Sequence, residues 1–348
     1  MKHYDWNKTF SYDAFITNVC GARGIGKTYG LRRAAVGDAF KEWRFVELCR
    51  YASQMEAIEN GYFDKLQENG EFKNTIFKVQ KHCAYMAHVT EDSQDAVWQH
   101  IGYFKALTNM ATDKQTTVSH VKKVWMDEVQ IDRDDKYHRY LPNEYHTFAK
   151  CLSTIMREVP HVKSPVRVYL MSNAVDMLNP YAENLFGDES IPDYGYRWYK
   201  NKLVLLHYVP PVHEKEYRED TLLGRLLGDD PEADSMFGNK YLTDPDKFVE
   251  RKSSSARFQF ALVFKGRRFG LWLDMKRACM YICSAIPANT TDVVTLTMRD
   301  NRLDYEAVRR NDSRLEWIKD LYYMGALRYD TAATREHFND VLRFFGVV

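Results

Sequence analysis

The run Gly21-Ala22-Arg23-Gly24-Ile25-Gly26-Lys27-Thr28 constrains this chain more than any other stretch, because it has the spacing Gly-x-x-x-x-Gly-Lys-Ser/Thr. That spacing has a mechanical meaning. Glycines let successive backbone N–H groups turn inward around an anion, and a helix opening at the end of the loop adds its positive N-terminus. Gly21, Ala22, Arg23, Gly24, Ile25 and Gly26 are expected to wrap the phosphates of ATP or GTP, Lys27 to reach the β and γ phosphates, and the Thr28 hydroxyl to hold Mg²⁺. The flanks fit, since residues 14–20 are apolar and strand-like while residues 29–43 are helix-competent throughout. A glycine-rich turn without nucleotide is the alternative that a second motif has to exclude.

Val124-Trp125-Met126-Asp127-Glu128 supplies one. An apolar strand ending in two acids places Asp127 to bind Mg²⁺, commonly through water. Glu128 is placed to orient and deprotonate an attacking water, which points to ATP hydrolysis rather than to transfer onto a small molecule. Phosphoryl transfer also needs a cation beyond Lys27 and the metal. Arg157, near the end of the helical segment 142–158, is a candidate to serve a neighbouring subunit, and Arg23 is a candidate acting within its own loop. Ser172-Asn173 follows the strand-like run 166–171, at the edge where open α/β sheets bind ligands, and Asn173 is a candidate to sense the γ phosphate or to hold Glu128 between nucleotide states.

The first 200 residues alternate apolar runs (14–20, 45–49, 75–79, 84–89, 118–126, 166–171 and 203–209) with helical segments, the signature of a doubly wound, mostly parallel α/β sheet. Pro210-Pro211 ends that pattern. Residues 211–244 read as a short helical linker, with a helix over 214–227. Beyond them, strand-like runs at 258–264, 269–275 and 280–285 are joined by connections so short that they demand antiparallel pairing. Residues 292–297 suggest a further strand, and 313–323 and 331–345 read as helices. The boundaries are therefore an N-terminal domain at 1–210, a linker at 211–244 and an α+β domain at 245–348.

Composition bears mainly on partners. The net charge is only +1, yet Lys and Arg lead Asp and Glu by 18 to 13 from Pro245 onward and trail by 31 to 35 before it, so the basic C-terminal third is a plausible polyanion-facing surface. No apolar run approaches the roughly 18 residues of a membrane span, and the first residues lack the apolar core of a signal peptide. Cys20, Cys49, Cys83, Cys151, Cys279 and Cys283 form no C-x-x-C pair and read as core thiols of a reducing compartment.

The chain resembles the DNA encapsidation proteins, the genome-packaging ATPases of phi-29-like tailed bacteriophages. The resemblance rests on Ser11-Tyr12-Asp13, the phosphate loop, Asp127-Glu128, Pro142-Asn143-Glu144, Ser172-Asn173-Ala174-Val175 with Asn179-Pro180-Tyr181, Gly270-Leu271-Trp272-Leu273-Asp274 and Met280-Tyr281-Ile282, in order along almost the whole length. It implies a P-loop ATPase of the additional-strand, conserved-glutamate class, working with ATP and Mg²⁺ as a homo-oligomeric ring, a pentamer. That ring would sit on the portal (connector) of an empty procapsid in the host cytoplasm, linked by a structural packaging RNA, pump double-stranded DNA inward, and be absent from the mature virion. It also implies that Arg157, rather than Arg23, is the arginine acting between subunits, and it places Arg50 near a region associated with DNA contact. The C-terminal domain resembles the RNase H-like nuclease of large terminases. Residues 258–264 carry no acid and Asp274 stands alone on the next strand, so a vestigial domain without nuclease activity is expected.

Overall fold

A computed structural model describes residues 3–89, 97–109, 118–131, 139–156, 165–174, 179–187, 193–211, 222–227, 239, 248–309 and 311–347. The chain forms two compact units, one of residues 1–187 and 192–243, the other of residues 188–191 and 244–348. Among the described residues no helix is long and apolar enough to cross a membrane.

The first unit is built on one nine-stranded sheet: β1 (Ile16–Cys20), β2 (Arg44–Cys49), β3 (Thr75–Gln80), β4 (Cys83–His88), β5 (Gln99–Ala106), β6 (Val121–Met126), β7 (Arg167–Ser172), β8 (Gly195–Tyr199) and β9 (Val204–Tyr208). The strands lie in the order β3-β4-β5-β2-β6-β7-β1-β9-β8. From β5 to β9 the pairing is parallel, and antiparallel β3–β4 and β8 close the two edges. This is the doubly wound, mostly parallel sheet expected. One inserted strand, β7, separates β1 from β6 and so sets the phosphate loop two strand positions from Asp127, as in the additional-strand class.

Helices flank it: α1 (Trp6–Ser11), α2 (Lys27–Ala39), α3 (Ser53–Glu59), α4 (Asp64–Glu68), α5 (Glu144–Ile155) and α6 (Pro180–Phe186). Because side chains alternate across a strand, the central strands feed two cores. Val46, Val124, Val168 and Leu206 pack with Phe148, Leu152 and Tyr181 of α5 and α6. On the other face Phe45, Trp125, Tyr169 and Val19 pack with Leu31, Ala35 and Val36 of α2.

Two strands of this sheet were not anticipated. β5 reads Gln-His-Ile-Gly-Tyr-Phe-Lys-Ala, too polar for a buried run, yet it lies inside the sheet between β4 and β2. Gly102 explains how it fits. It stands opposite Phe45, and a Cβ there would come within 2.3 Å of the Phe45 ring. That ring is stacked or edge-on to Tyr62, Phe104 and Trp125 and has nowhere to go. Gly102→Ala is therefore expected to destabilise this unit by about 2–3 kcal/mol through overpacking, seen as a lower urea midpoint with an unchanged slope. The half-exposed edge strand β8 shows too little apolar alternation to stand out.

The second unit contains β10 (Arg257–Phe264), β11 (Arg267–Asp274), β12 (Cys279–Cys283), β13 (Val293–Thr295), β14 (Glu306–Ala307) and β15 (Leu327–Tyr329), in the order β14-β13-β10-β11-β12-β15. β10, β11 and β12 are consecutive antiparallel neighbours, as their short connections require. Lys265 and Gly266 make the first turn, both with positive φ, as a two-residue hairpin demands. β13 joins β10 in parallel and β14 joins β13 in parallel. Setting β15 aside, the order is third-second-first-fourth-fifth with the second strand reversed, the RNase H arrangement. Phe260, Leu262 and Phe264 face the helices Ser313–Tyr323 and Ala332–Phe344, packing on Leu315, Ile318, Phe338 and Val341. Cys279 and Cys283 share the opposite face, buried with Tyr281 and as free thiols. Of the linker at 211–244, the described residues are 211, 222–227 and 239, and Leu222–Leu227 is helical; the rest lies outside the described residues.

Candidate active site

The phosphate loop runs from the end of β1 into the first turn of α2. Gly24 and Gly26 have φ of 79° and 80°, left-handed values that favour glycine and turn the loop back on itself. Gly26 then caps α2 without a side-chain bond, leaving the first N–H groups of the helix to the loop cavity. Lys27 is buried, and its ammonium donates to the carbonyls of Gly21 at 2.6 Å and Ala22 at 2.8 Å. Burial lowers its pKa, with the Asp127 carboxylate opposing that shift.

β6 delivers the acids to the same place. Thr28 Oγ1 donates to Asp127 Oδ2, so the two proposed metal-holding residues touch each other. They present a hydroxyl and a carboxylate, hard oxygen donors of the kind Mg²⁺ prefers. The other Asp127 oxygen accepts the Glu128 N–H at 2.9 Å. Glu128 has a φ of 52° and is exposed, while Val129 returns to the sheet by donating to the Met171 carbonyl at 3.1 Å. A carboxylate held out of a buried strand end in a left-handed conformation is strain of the kind that collects at functional sites.

Asn173 lies at the end of β7 against the loop. With its amide turned to suit its neighbours, the NH₂ donates to the Gly21 carbonyl at 3.1 Å and the oxygen accepts from Arg23 Nε at 3.0 Å. The reversed amide would offer its oxygen to Lys27 Nζ at 3.3 Å. Either way Lys27, Arg23 and Asn173 converge on one carbonyl-lined turn.

Three features here escaped sequence reasoning. Asn239, wholly buried, donates to the carbonyls of Cys20 at 3.0 Å and Val209 at 2.8 Å and accepts the Ala174 N–H at 3.2 Å. It thereby ties together the ends of β1, β7 and β9, one residue before the phosphate loop and one after Asn173. The N-terminal segment also braces the loop: the Tyr4 N–H donates to the Ile25 carbonyl at 2.8 Å and the Trp6 indole to the Lys27 carbonyl at 2.8 Å. The Tyr4 hydroxyl meets His207, whose pKa burial pushes down to about 4. The third feature is a pair of cavities. One, of about 1220 Å³, lies beside Gly26 and is walled by Tyr4, Trp6, Tyr29 and Phe72; the other, of about 580 Å³, holds Asp127 and Glu128 with Arg32, Glu47 and Arg50. The acids line the smaller of the two, and of the phosphate loop only Gly26 borders the larger.

One expectation needs a different account. Arg50 does not face solvent, because its guanidinium is buried against Glu144, so it cannot touch a DNA backbone from where it stands. Arg157 lies outside the described residues. In the second unit Asp274 is fully buried, and its oxygens accept the hydroxyls of Ser253 and Ser255 and the N–H groups of Lys276 and Arg277. Those bonds, Ser253's foremost, hold its pKa down to about 2, and they occupy it in shaping the β11–β12 turn.

An anion-cradling turn that opens a helix, two strands away from a strand ending in adjacent acids, defines a P-loop nucleotide-binding unit of the additional-strand class, here followed by an RNase H-like unit. The sequence profile of the Podovirus DNA encapsidation protein (Gp16) family matches residues 1–346, and the chain belongs to that family. It is 27% identical over 335 residues to the DNA packaging protein of Bacillus phage phi29, covering 95% of this chain and 94% of that one. With the DNA packaging protein of Bacillus phage B103 it shares 26% identity over 329 residues, covering 93% and 95%. Among solved structures, the bacteriophage Phi-29 viral genome packaging motor assembly superimposes with a TM-score of 0.74 at 25% identity, covering 99% of this chain and all of that chain.

Proposed function

We propose that this chain is the ATPase of a viral genome-packaging motor, hydrolysing ATP to drive double-stranded DNA through the portal of a procapsid. The observation that carries this reading is the contact of Thr28 with Asp127 beside the exposed Glu128, on a chain whose relatives are DNA packaging proteins along nearly its full length. Lys27 exchanges its Gly21 and Ala22 carbonyl partners for phosphate oxygens. Thr28 and Asp127 would hold Mg²⁺, whose chemistry there would be to offset charge on the phosphate oxygens. Glu128 takes the proton of the attacking water. In this reading Asn173, hydrogen-bonded to Gly21 and Arg23, reports the γ phosphate, and Arg157 completes the charge stabilisation at a neighbouring subunit in a pentameric ring. A packaging RNA between ring and capsid belongs to the same reading. For the second unit the proposal is a basic docking and polyanion-binding role without cleavage, consistent with an Asp274 already committed to its own turn.

Adding double-stranded DNA to the purified protein should raise ATP turnover severalfold, and the increase should shrink steeply with salt because the grip is on phosphates. Turnover indifferent to DNA at every salt concentration would instead make the chain a nucleotide-binding adaptor.

A further inference from the structure

Behind the smaller cavity a charged pair is buried where packing alone would be served by apolar residues. Arg50, at the end of β2, donates from Nε to both oxygens of Glu144, at 2.8 and 2.9 Å, and the two side chains are 4% and 0% exposed. Taking two charges out of water is costly, and replacing such a pair by well-packed apolar groups is often neutral or stabilising. The rest of its bonding shows what the pair holds. Arg50 Nη2 donates to the Val129 carbonyl at 3.1 Å. Glu144, the first residue of α5, also accepts the Leu141 N–H at 2.7 Å and the Tyr181 hydroxyl at 2.9 Å.

Val129 is the residue after Glu128. Its N–H is fixed to Met171 on β7 and its carbonyl to Arg50, so the chain leaving the left-handed Glu128 is clamped at both ends of one residue. The direction of an exposed carboxylate at such a turn depends on that clamp. The same guanidinium anchors the N-terminus of α5, the helix that leads in sequence to position 157. We infer that Arg50 and Glu144 are positioning residues for Glu128, fixing where its carboxylate points and tying that direction to the placement of α5. The inference rests on Glu128 being the base.

The test separates binding, turnover and folding. In Arg50→Met/Glu144→Leu no charge is left buried, but the Leu141 N–H, the Tyr181 hydroxyl and the Val129 carbonyl lose their partners, so the fold should melt clearly below the parent; nucleotide Kd should stay within about threefold, and kcat should fall about tenfold or more, as misplacement of a reacting group does. In Arg50→Lys the charge remains, but a point-like ammonium replaces the planar fork that reaches the carboxylate from Nε and the Val129 carbonyl from Nη2; kcat should fall about fivefold with Kd unchanged. Should the double variant not fold, Arg50→Lys alone decides. A kcat within twofold of the parent in either folded variant, or equal losses in Kd and kcat, overturns the inference and leaves the pair a packing element. Glu128→Gln measured alongside isolates the underlying reading: if it turns over like the parent, the base assignment has failed, whatever the Arg50 variants do.

Discussion

Glu128→Gln is expected to keep nucleotide affinity within about threefold of the parent and to lower turnover by about 10²- to 10³-fold, the usual worth of a general base. The substitution keeps the shape of the side chain and leaves its backbone where Asp127 and Val129 hold it, since the bonds at that turn are made by the Glu128 N–H and the Val129 peptide. Only the ability to take a proton is lost. Titration with a fluorescent ATP analogue beside a phosphate-release assay reads both quantities, and a parallel loss of affinity would mean that Glu128 binds nucleotide or metal instead. Glu128→Gly adds a check from a different direction. With φ at 52°, the native residue bears about 1 kcal/mol of left-handed strain that glycine escapes. That variant should melt no lower than the parent while losing turnover as Glu128→Gln does.

How much of this could be read in advance depended on whether a residue's role was written in its neighbours along the chain. β1 and β7 were legible because strands buried on both faces are continuous apolar runs. β5 was not, because Gly102 and Lys105 interrupt its run, and the reason for the glycine is a Phe45 ring in another strand. The two-residue β14 and three-residue β15 are too short to show any period. In the site, the phosphate loop and the two acids are contiguous motifs, and the parallel sheet is what brings Thr28 to Asp127 across 99 residues. Arg50's place near a region that the resemblance associates with DNA contact gives no sign of its burial, because its partner Glu144 stands 94 residues on. Asn239 could not be found at all: its partners are main-chain groups at the ends of three strands, and backbone atoms leave no mark on sequence. Tyr4 and Trp6 carry no local pattern either, since their partners are the Ile25 and Lys27 carbonyls, 21 residues on.

Lys27→Ala is expected to weaken nucleotide binding by about 100-fold or more. A charge-assisted hydrogen bond to a charged partner is worth roughly 1.5–3 kcal/mol, each 1.4 kcal/mol is a factor of about ten, and a buried ammonium with three donors would make more than one such bond to bound phosphate. The fold should survive, because alanine is favourable in the first turn of α2 and the Gly21 carbonyl keeps a donor in the Asn173 amide. The Ala22 carbonyl loses a donor, so a modest fall in melting temperature without nucleotide is expected. The two active-site variants thus part company: Lys27→Ala loses affinity first and turnover as a consequence, while Glu128→Gln binds and stalls. That separation also predicts their behaviour in mixed rings. In the ring proposed above, a Glu128→Gln subunit would hold its nucleotide and block a cycle passing from subunit to subunit, so DNA-stimulated turnover should drop more steeply with its mole fraction than with that of Lys27→Ala. Identical dose curves for the two variants would mean that the subunits fire independently, and coordinated turnover would have to be abandoned.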